Sequence, residues 1–217
     1  MANHYPNLNP ERALIWRIVH RENLAWILQH GLHCKDSPTR DPNFVTIGNT
    51  ELIGRRNTRQ VPIAPGGCLS DYVPFYFTPF SPMMYNIYTG RGGVPQRLNQ
   101  DICILVTSLH RIREMGLRFV FTDRHAYTAM AQYYNQIDAL CHIDWPLLQA
   151  RNFARSADDP EQIERYQAET LVHQHVPVTG LLGVVCYTNI IKAQLDSQIQ
   201  ARGLQLAVHV MPQWYFE

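Results

Sequence analysis

The pattern of apolar residues constrains this chain most: short continuous runs, separated by polar loops marked with Pro and Gly, recur at irregular intervals. Runs over 13–19, 72–77, 102–107, 119–121, 169–172, 183–187 and 206–210 are rich in Val, Ile, Leu and aromatic residues, as buried strands are. Apolar residues fall at helical spacing over 22–30, which ends at Gly31, and over 82–88, which stops at Gly90; the same spacing recurs over 127–143 and 190–202. Asp144-Trp145-Pro146 offers a further short helix start. Strands are thus interrupted by helices with no regular βαβ period, so the expected class is α+β.

A chain of 217 residues can bury a continuous core without staples, and no internal repeat or linker-like tract divides it, so a single domain over 1–217 is expected. With 46% hydrophobic and 17% charged residues the composition is that of an ordinary globular protein. The five cysteines are odd in number and form no C-x-x-C pair, which points away from a zinc site or a disulfide framework; they are expected reduced and mostly buried, and no metal is expected. The opening MANHYPNLNPER lacks the apolar stretch of a secretory leader, and no apolar run approaches the roughly 18 residues of a membrane span. A cytoplasmic location without a membrane partner is therefore expected.

A net charge of +1 argues against a surface coated with basic residues and confines any nucleic-acid contact to a groove. Arginine nevertheless outnumbers lysine 17 to 2. Guanidinium forks match phosphate oxygens and stack on bases, although codon usage in a GC-rich genome produces the same skew.

Generic motifs are missing: there is no G-x-G-x-x-G, Walker loop, H-E-x-x-H or G-x-S-x-G. Four local concentrations of unusual residues remain. The polar segment 35–67 is long and irregular, as functional loops often are, and carries Gly54-Arg55-Arg56-Asn57 with Arg59 nearby, suited to a pyrophosphate or simply to solvent. The stretch from Asp71 to Met83 packs five aromatics and three prolines, for core packing or for stacking a flat ring. Phe121-Thr122-Asp123-Arg124-His125 projects polar groups from a strand end. Gln167-Ala168-Glu169 sets one carboxylate at the head of an apolar strand, where it must be solvated, paired or functional.

Taken in order, Leu14-Ile15-Trp16-Arg17-Ile18-Val19-His20 with Asn23-Leu24, Gly54-Arg55-Arg56, Asp71-Tyr72-Val73-Pro74-Phe75-Tyr76-Phe77 with Ser81-Pro82-Met83, Phe119-Val120-Phe121-Thr122-Asp123 and Tyr166-Gln167-Ala168-Glu169 closely resemble the DarT family of DNA ADP-ribosyltransferase toxins. The resemblance runs on through Ile143-Asp144-Trp145 to Trp214-Tyr215-Phe216 and covers about residues 8–217.

The resemblance implies the ADP-ribosyltransferase fold, a split, twisted, mixed β core with helical insertions that holds NAD in a cleft. It places the catalytic glutamate at Glu169 and the key arginine at Arg56, and assigns His125 to the acceptor side or to catalysis. The candidates for NAD are Arg17, His20, Asn23, Tyr72, Phe75, Tyr76, Met83 and Tyr85; those for single-stranded DNA are Arg55, Arg59, Arg91, Arg124 and Tyr166. Some relatives carry histidine where this chain has Arg17, and His20 suits a structural hydrogen-bonding role equally well. The acceptor implied is thymine, at a ring nitrogen that reacts once deprotonated. A DarG-like antitoxin whose macrodomain removes the modification, a role in growth arrest or phage defence, and a monomeric state complete the expectation. Residues alone leave room for an NAD glycohydrolase or a silent single-strand binder.

Overall fold

The computed structural model describes residues 5–217; the first four residues of the segment read above as lacking a secretory leader lie outside that range. In chain order the elements are β1 (Leu14–His20), α1 (Leu24–His30), β2 (Leu32–His33), α2 (Thr50–Arg55), β3 (Tyr72–Tyr76), α3 (Pro82–Thr89), β4 (Ile102–Ser108), α4 (Leu109–Glu114), β5 (Phe119–Thr122), β6 (Tyr133–Tyr134), α5 (Trp145–Gln149), α6 (Gln162–Arg165), β7 (Glu169–His173), β8 (His175–Val176), β9 (Gly183–Cys186), α7 (Asn189–Gln200) and β10 (Ala207–Val210). Eight strands form one sheet in the order β10-β9-β4-β1-β3-β7-β5-β6, antiparallel except for the β9–β10 edge; β2 and β8 make a separate antiparallel ribbon. The class is α+β with a mixed sheet.

Local chemistry explains most of the boundaries. Gly31 and Gly90 end α1 and α3 at positive φ, which costs glycine nothing. Ser81 caps α3 by accepting from the Met84 N–H, with Pro82 at the first helical position. Asp144 does the same for α5 through the Leu147 N–H. In the core, Phe77 meets Phe121 and Trp145 edge to face at 6.1 and 5.5 Å, which fastens the sheet to α5. Cys34, Cys103 and Cys186 are buried, Cys68 is half-buried and Cys141 exposed, all as free thiols. No helix among the described residues is long and apolar enough to cross a membrane.

Two expectations change. The helical spacing over 127–143 does not yield a helix: a turn leads into β6, which pairs Phe121 with Tyr134 and Thr122 with Tyr133, and a 3-10 turn over Ile137–His142 follows. Tertiary bonds outweigh the local pattern, because the Tyr133 hydroxyl donates to the Ala126 carbonyl at 2.6 Å and the Gln132 N–H to Asp123 at 3.0 Å. The irregular segment 35–67 contains the unforeseen helix α2, capped by Asn49 accepting from the Leu52 N–H.

Candidate active site

Glu169 opens β7, where it pairs with Tyr76 of β3, and its side chain is 3% exposed. An isolated carboxylate there would be too costly to bury, and two groups donate to it. Arg56, which ends α2, sends Nη1 to both carboxylate oxygens at 3.1 and 3.3 Å across 113 residues of chain. The Ala126 N–H donates to Oε1 at 3.0 Å, and His125 Nδ1 stands 3.8 Å from the same oxygen. Burial pushes the Glu169 carboxyl upward, but the Arg56 charge, His125 and the Ala126 N–H together hold it below its ordinary range. The carboxylate is ionised at neutral pH.

The turn after β5 supports this group from beneath. His125 Nδ1 accepts from the Tyr127 N–H at 3.2 Å, which leaves the ring proton on Nε2. Burial lowers the imidazole's proton affinity; Glu169 works against that and Arg56 with it, so the ring is neutral. Arg59 donates to the Thr128 carbonyl at 2.8 Å, and Thr122 Oγ1 to the Arg124 carbonyl at 2.7 Å.

Glu169 lines a cleft whose empty space, open solvent at the mouth included, is about 1120 Å³. One wall is the sheet, with Arg17 and Ile18 of β1, Tyr72, Pro74 and Tyr76 of β3, and Glu169 itself. The other is a loop wall drawn mostly from 33–56, with Lys35, Arg40, Phe44 and Arg56. Four cations, Arg17, Lys35, Arg40 and Arg56, thus face a cleft lined by one carboxylate, an excess that suits a doubly anionic ligand such as a pyrophosphate. Burial lowers the Arg17 pKa to about 10, which leaves it charged at neutral pH. Burial also keeps the Tyr76 phenol protonated, and its hydroxyl lies 3.4 Å from Met83 Sδ.

Of the expected site residues, Glu169, Arg56, His125, Arg17, Tyr72, Tyr76 and Met83 come together around this cleft. Others do not. Phe75 alternates to the opposite face of β3 and is buried in the core. His20 lies outside the lining and accepts from the Glu22 N–H. Asn23 is buried behind the loop wall, where its amide donates to the Val45 carbonyl at 2.9 Å and accepts from the Val45 N–H at 2.8 Å. Tyr85 packs on Phe153 and Phe216 with Arg91 over its ring.

Among the residues expected at DNA, Tyr166 has no exposed surface, so it cannot stack on a base. Arg55 points outward to Glu51, Arg124 is held by Asp123 and Glu161, and Arg59 donates one nitrogen to the Thr128 carbonyl. The residues missed are Lys35, Arg40 and Phe44. The length and polarity of their segment marked it as functional, but no spacing singled them out.

The chain is similar to several known proteins. The family model described as "ssDNA thymidine ADP-ribosyltransferase, DarT" matches residues 16–216. A DNA ADP-ribosyl transferase of Escherichia coli O127:H6 is 51% identical over 210 residues, covering 97% of this chain and 96% of that protein. One from Thermus sp. strain 2.9 is 41% identical over 185 residues, 82% of this chain and 83% of its own. Among solved structures, Thermus sp. 2.9 DarT in complex with ADP-ribosylated single-stranded DNA superposes with a TM-score of 0.88 at 33% identity over the full length of both chains. The same protein in complex with NAD+ gives 0.84 at 34% identity, covering 95% of this chain and 99% of that one. At 18% identity, Thermosipho africanus DarTG shares the fold with a TM-score of 0.74, this chain spanning 94% of itself and 51% of that one.

Proposed function

Because the chain belongs to the DarT family of single-stranded-DNA thymidine ADP-ribosyltransferases, we propose that its cationic cleft holds NAD and that the Glu169–Arg56 pair is where ADP-ribose passes to the base. The protein is an NAD-dependent enzyme that modifies thymidine in single-stranded DNA. A base within a duplex is masked by its partner strand, which accounts for the single-stranded acceptor. The observation that carries the site reading is one ionised carboxylate, shielded from solvent, lining a cleft with four cations.

Arg17, Lys35 and Arg40 are the groups suited to the pyrophosphate. As the bond between nicotinamide and ribose breaks, positive charge develops on the sugar, and Glu169, ionised and fixed by β7, stabilises that charge as it appears. Arg56 keeps the carboxylate charged and aimed. Its Nη2, buried without a partner, remains for a ligand oxygen or for the deprotonated thymine ring. Neutral His125, with its proton on Nε2, suits the acceptor side of the same carboxylate. Tyr76 and Met83 offer flat and polarisable surface for nicotinamide.

We read residues 1–217 as one domain acting as a single copy in the cytoplasm, where NAD and DNA are both at hand. An antitoxin partner that removes the modification is the natural counterpart of such an activity. The test is mass spectrometry of thymine-containing oligonucleotides incubated with NAD. The native chain adds one ADP-ribose per modified site and Glu169→Gln adds none. Free ADP-ribose with unmodified DNA would reduce the activity to NAD hydrolysis.

A further inference from the structure

β1 is bordered unequally on its two sides. Toward β4 all seven of its residues pair, from Leu14 opposite Ser108 to His20 opposite Ile102. Toward β3 one pair forms, Trp16 opposite Tyr76. Continued by two residues, that antiparallel register would set Ile18 opposite Pro74, a rung that does not exist. The cleft opens there, between Arg17 and Ile18 on one strand and Tyr72 and Pro74 on the other.

The chemistry of Pro74 explains the gap. Its carbonyl faces β1, since it accepts from Arg17 Nη1 at 2.9 Å. In an antiparallel ladder the N–H and C=O of one residue point to the same neighbour, so the ring nitrogen of Pro74, which carries no hydrogen, also faces β1. One bond of the missing rung therefore has no donor. The acceptor of the other is occupied by the guanidinium. Pairing of Pro74 with Leu171 on the β7 side needs nothing from that nitrogen, so the strand survives with a proline in mid-sheet. Arg17 commits Nη1 to this link, while its buried Nε has no partner and is left for a ligand.

We propose that Pro74 and Arg17 keep the sheet split: proline withholds a donor, arginine occupies an acceptor, and the strands stay far enough apart to admit a dinucleotide. Pro74 is then a positioning residue, acting through cleft width. The inference rests on the reading that NAD occupies this cleft.

The test is Pro74→Ala, which supplies the missing N–H, with Pro74→Val as a second variant whose branched side chain favours a strand. Amide hydrogen exchange is read at positions 18 and 74 without NAD, and kcat and KM for NAD are measured on an oligonucleotide acceptor. In both variants the amide supplied at position 74 should exchange slowly, by roughly tenfold or more relative to an open strand. KM for NAD should rise about tenfold while kcat stays within about threefold, the signature of impaired admission rather than impaired chemistry. Rapid exchange at position 74, whether the variants are stable or destabilised, would overturn the proposal irrespective of what fills the cleft. Slow exchange with an unchanged KM would overturn it differently, by showing that the dinucleotide enters elsewhere.

Discussion

The two walls of the cleft are held by unlike means. The sheet wall fixes Glu169 through five consecutive pairs between β3 and β7 and three between β7 and β5. The loop wall hangs on side-chain bonds: Asn23 to Val45, Lys35 to Asn57 at 2.8 Å, and Asn49 to Gly92 at 2.8 Å. A ladder holds atoms that must not shift while charge develops. Single side-chain bonds contribute about 1 kcal/mol each, so the loop wall is the part that yields first. With NAD in the cleft as proposed, the sheet wall would serve the chemical step and the loop wall the intake of the ligand.

Variants can break that division. Glu169→Gln keeps the shape and removes the charge; kcat should fall about a thousandfold, or about 4 kcal/mol, with KM for NAD nearly unchanged, measured as nicotinamide release. A loss confined to KM would reverse the roles of the walls. Arg56 belongs to the loop wall yet touches the sheet wall, so Arg56→Ala should lower kcat about a hundredfold. It should also cost about 3 kcal/mol of stability in chemical denaturation, because Glu169 is left buried without its partner. Arg56→Lys should restore little, since a point charge does not reproduce the planar fork.

Asn23→Ala sharpens the comparison from the other wall. It frees Val45, and should raise KM for NAD about fivefold at constant kcat while lowering stability by about 1–2 kcal/mol. A drop in kcat alone would show that the loop wall shapes the chemical step.

Acid tests the sheet wall by itself. A carboxyl whose folded pKa is lowered contributes stability in full above its ordinary value, about 4.5, and loses that contribution as pH falls through the folded value. The difference in thermal midpoint between the native chain and Glu169→Gln should hold from pH 7 to about 5 and shrink only below 4.5. Shrinkage already near pH 6 would assign the effect to a histidine. Smallest of all, Tyr85→Leu should change KM for NAD less than about twofold, since the ring packs on Phe153 and Phe216 away from the cleft.

The same division separates what sequence reveals from what it hides. Strand cores such as Ile102–Ser108 and the carboxylate at the head of β7 follow from local pattern, because burial and pleat act within a few residues. The 127–143 segment misleads because its apolar spacing is local while the bonds that shape it reach Asp123, Ala126 and β5. Asn23 reads as a ligand contact and instead holds Val45, 22 residues away, a pairing no periodicity encodes. Lys35 and Arg40 gain their meaning only when the loop folds back over β1.

The turn after β5 has a practical consequence for anyone retargeting the enzyme to another base. Its Ala126 N–H is bonded to the Glu169 carboxylate, Tyr133 holds its Ala126 carbonyl, and Arg59 holds its Thr128 carbonyl. A segment grafted from a homologue with different taste therefore imports its own tuning of the reactive acid, for better or worse. A change in this turn therefore reaches the carboxylate directly, and its anchors Tyr133 and Arg59 belong with any exchange of the loop.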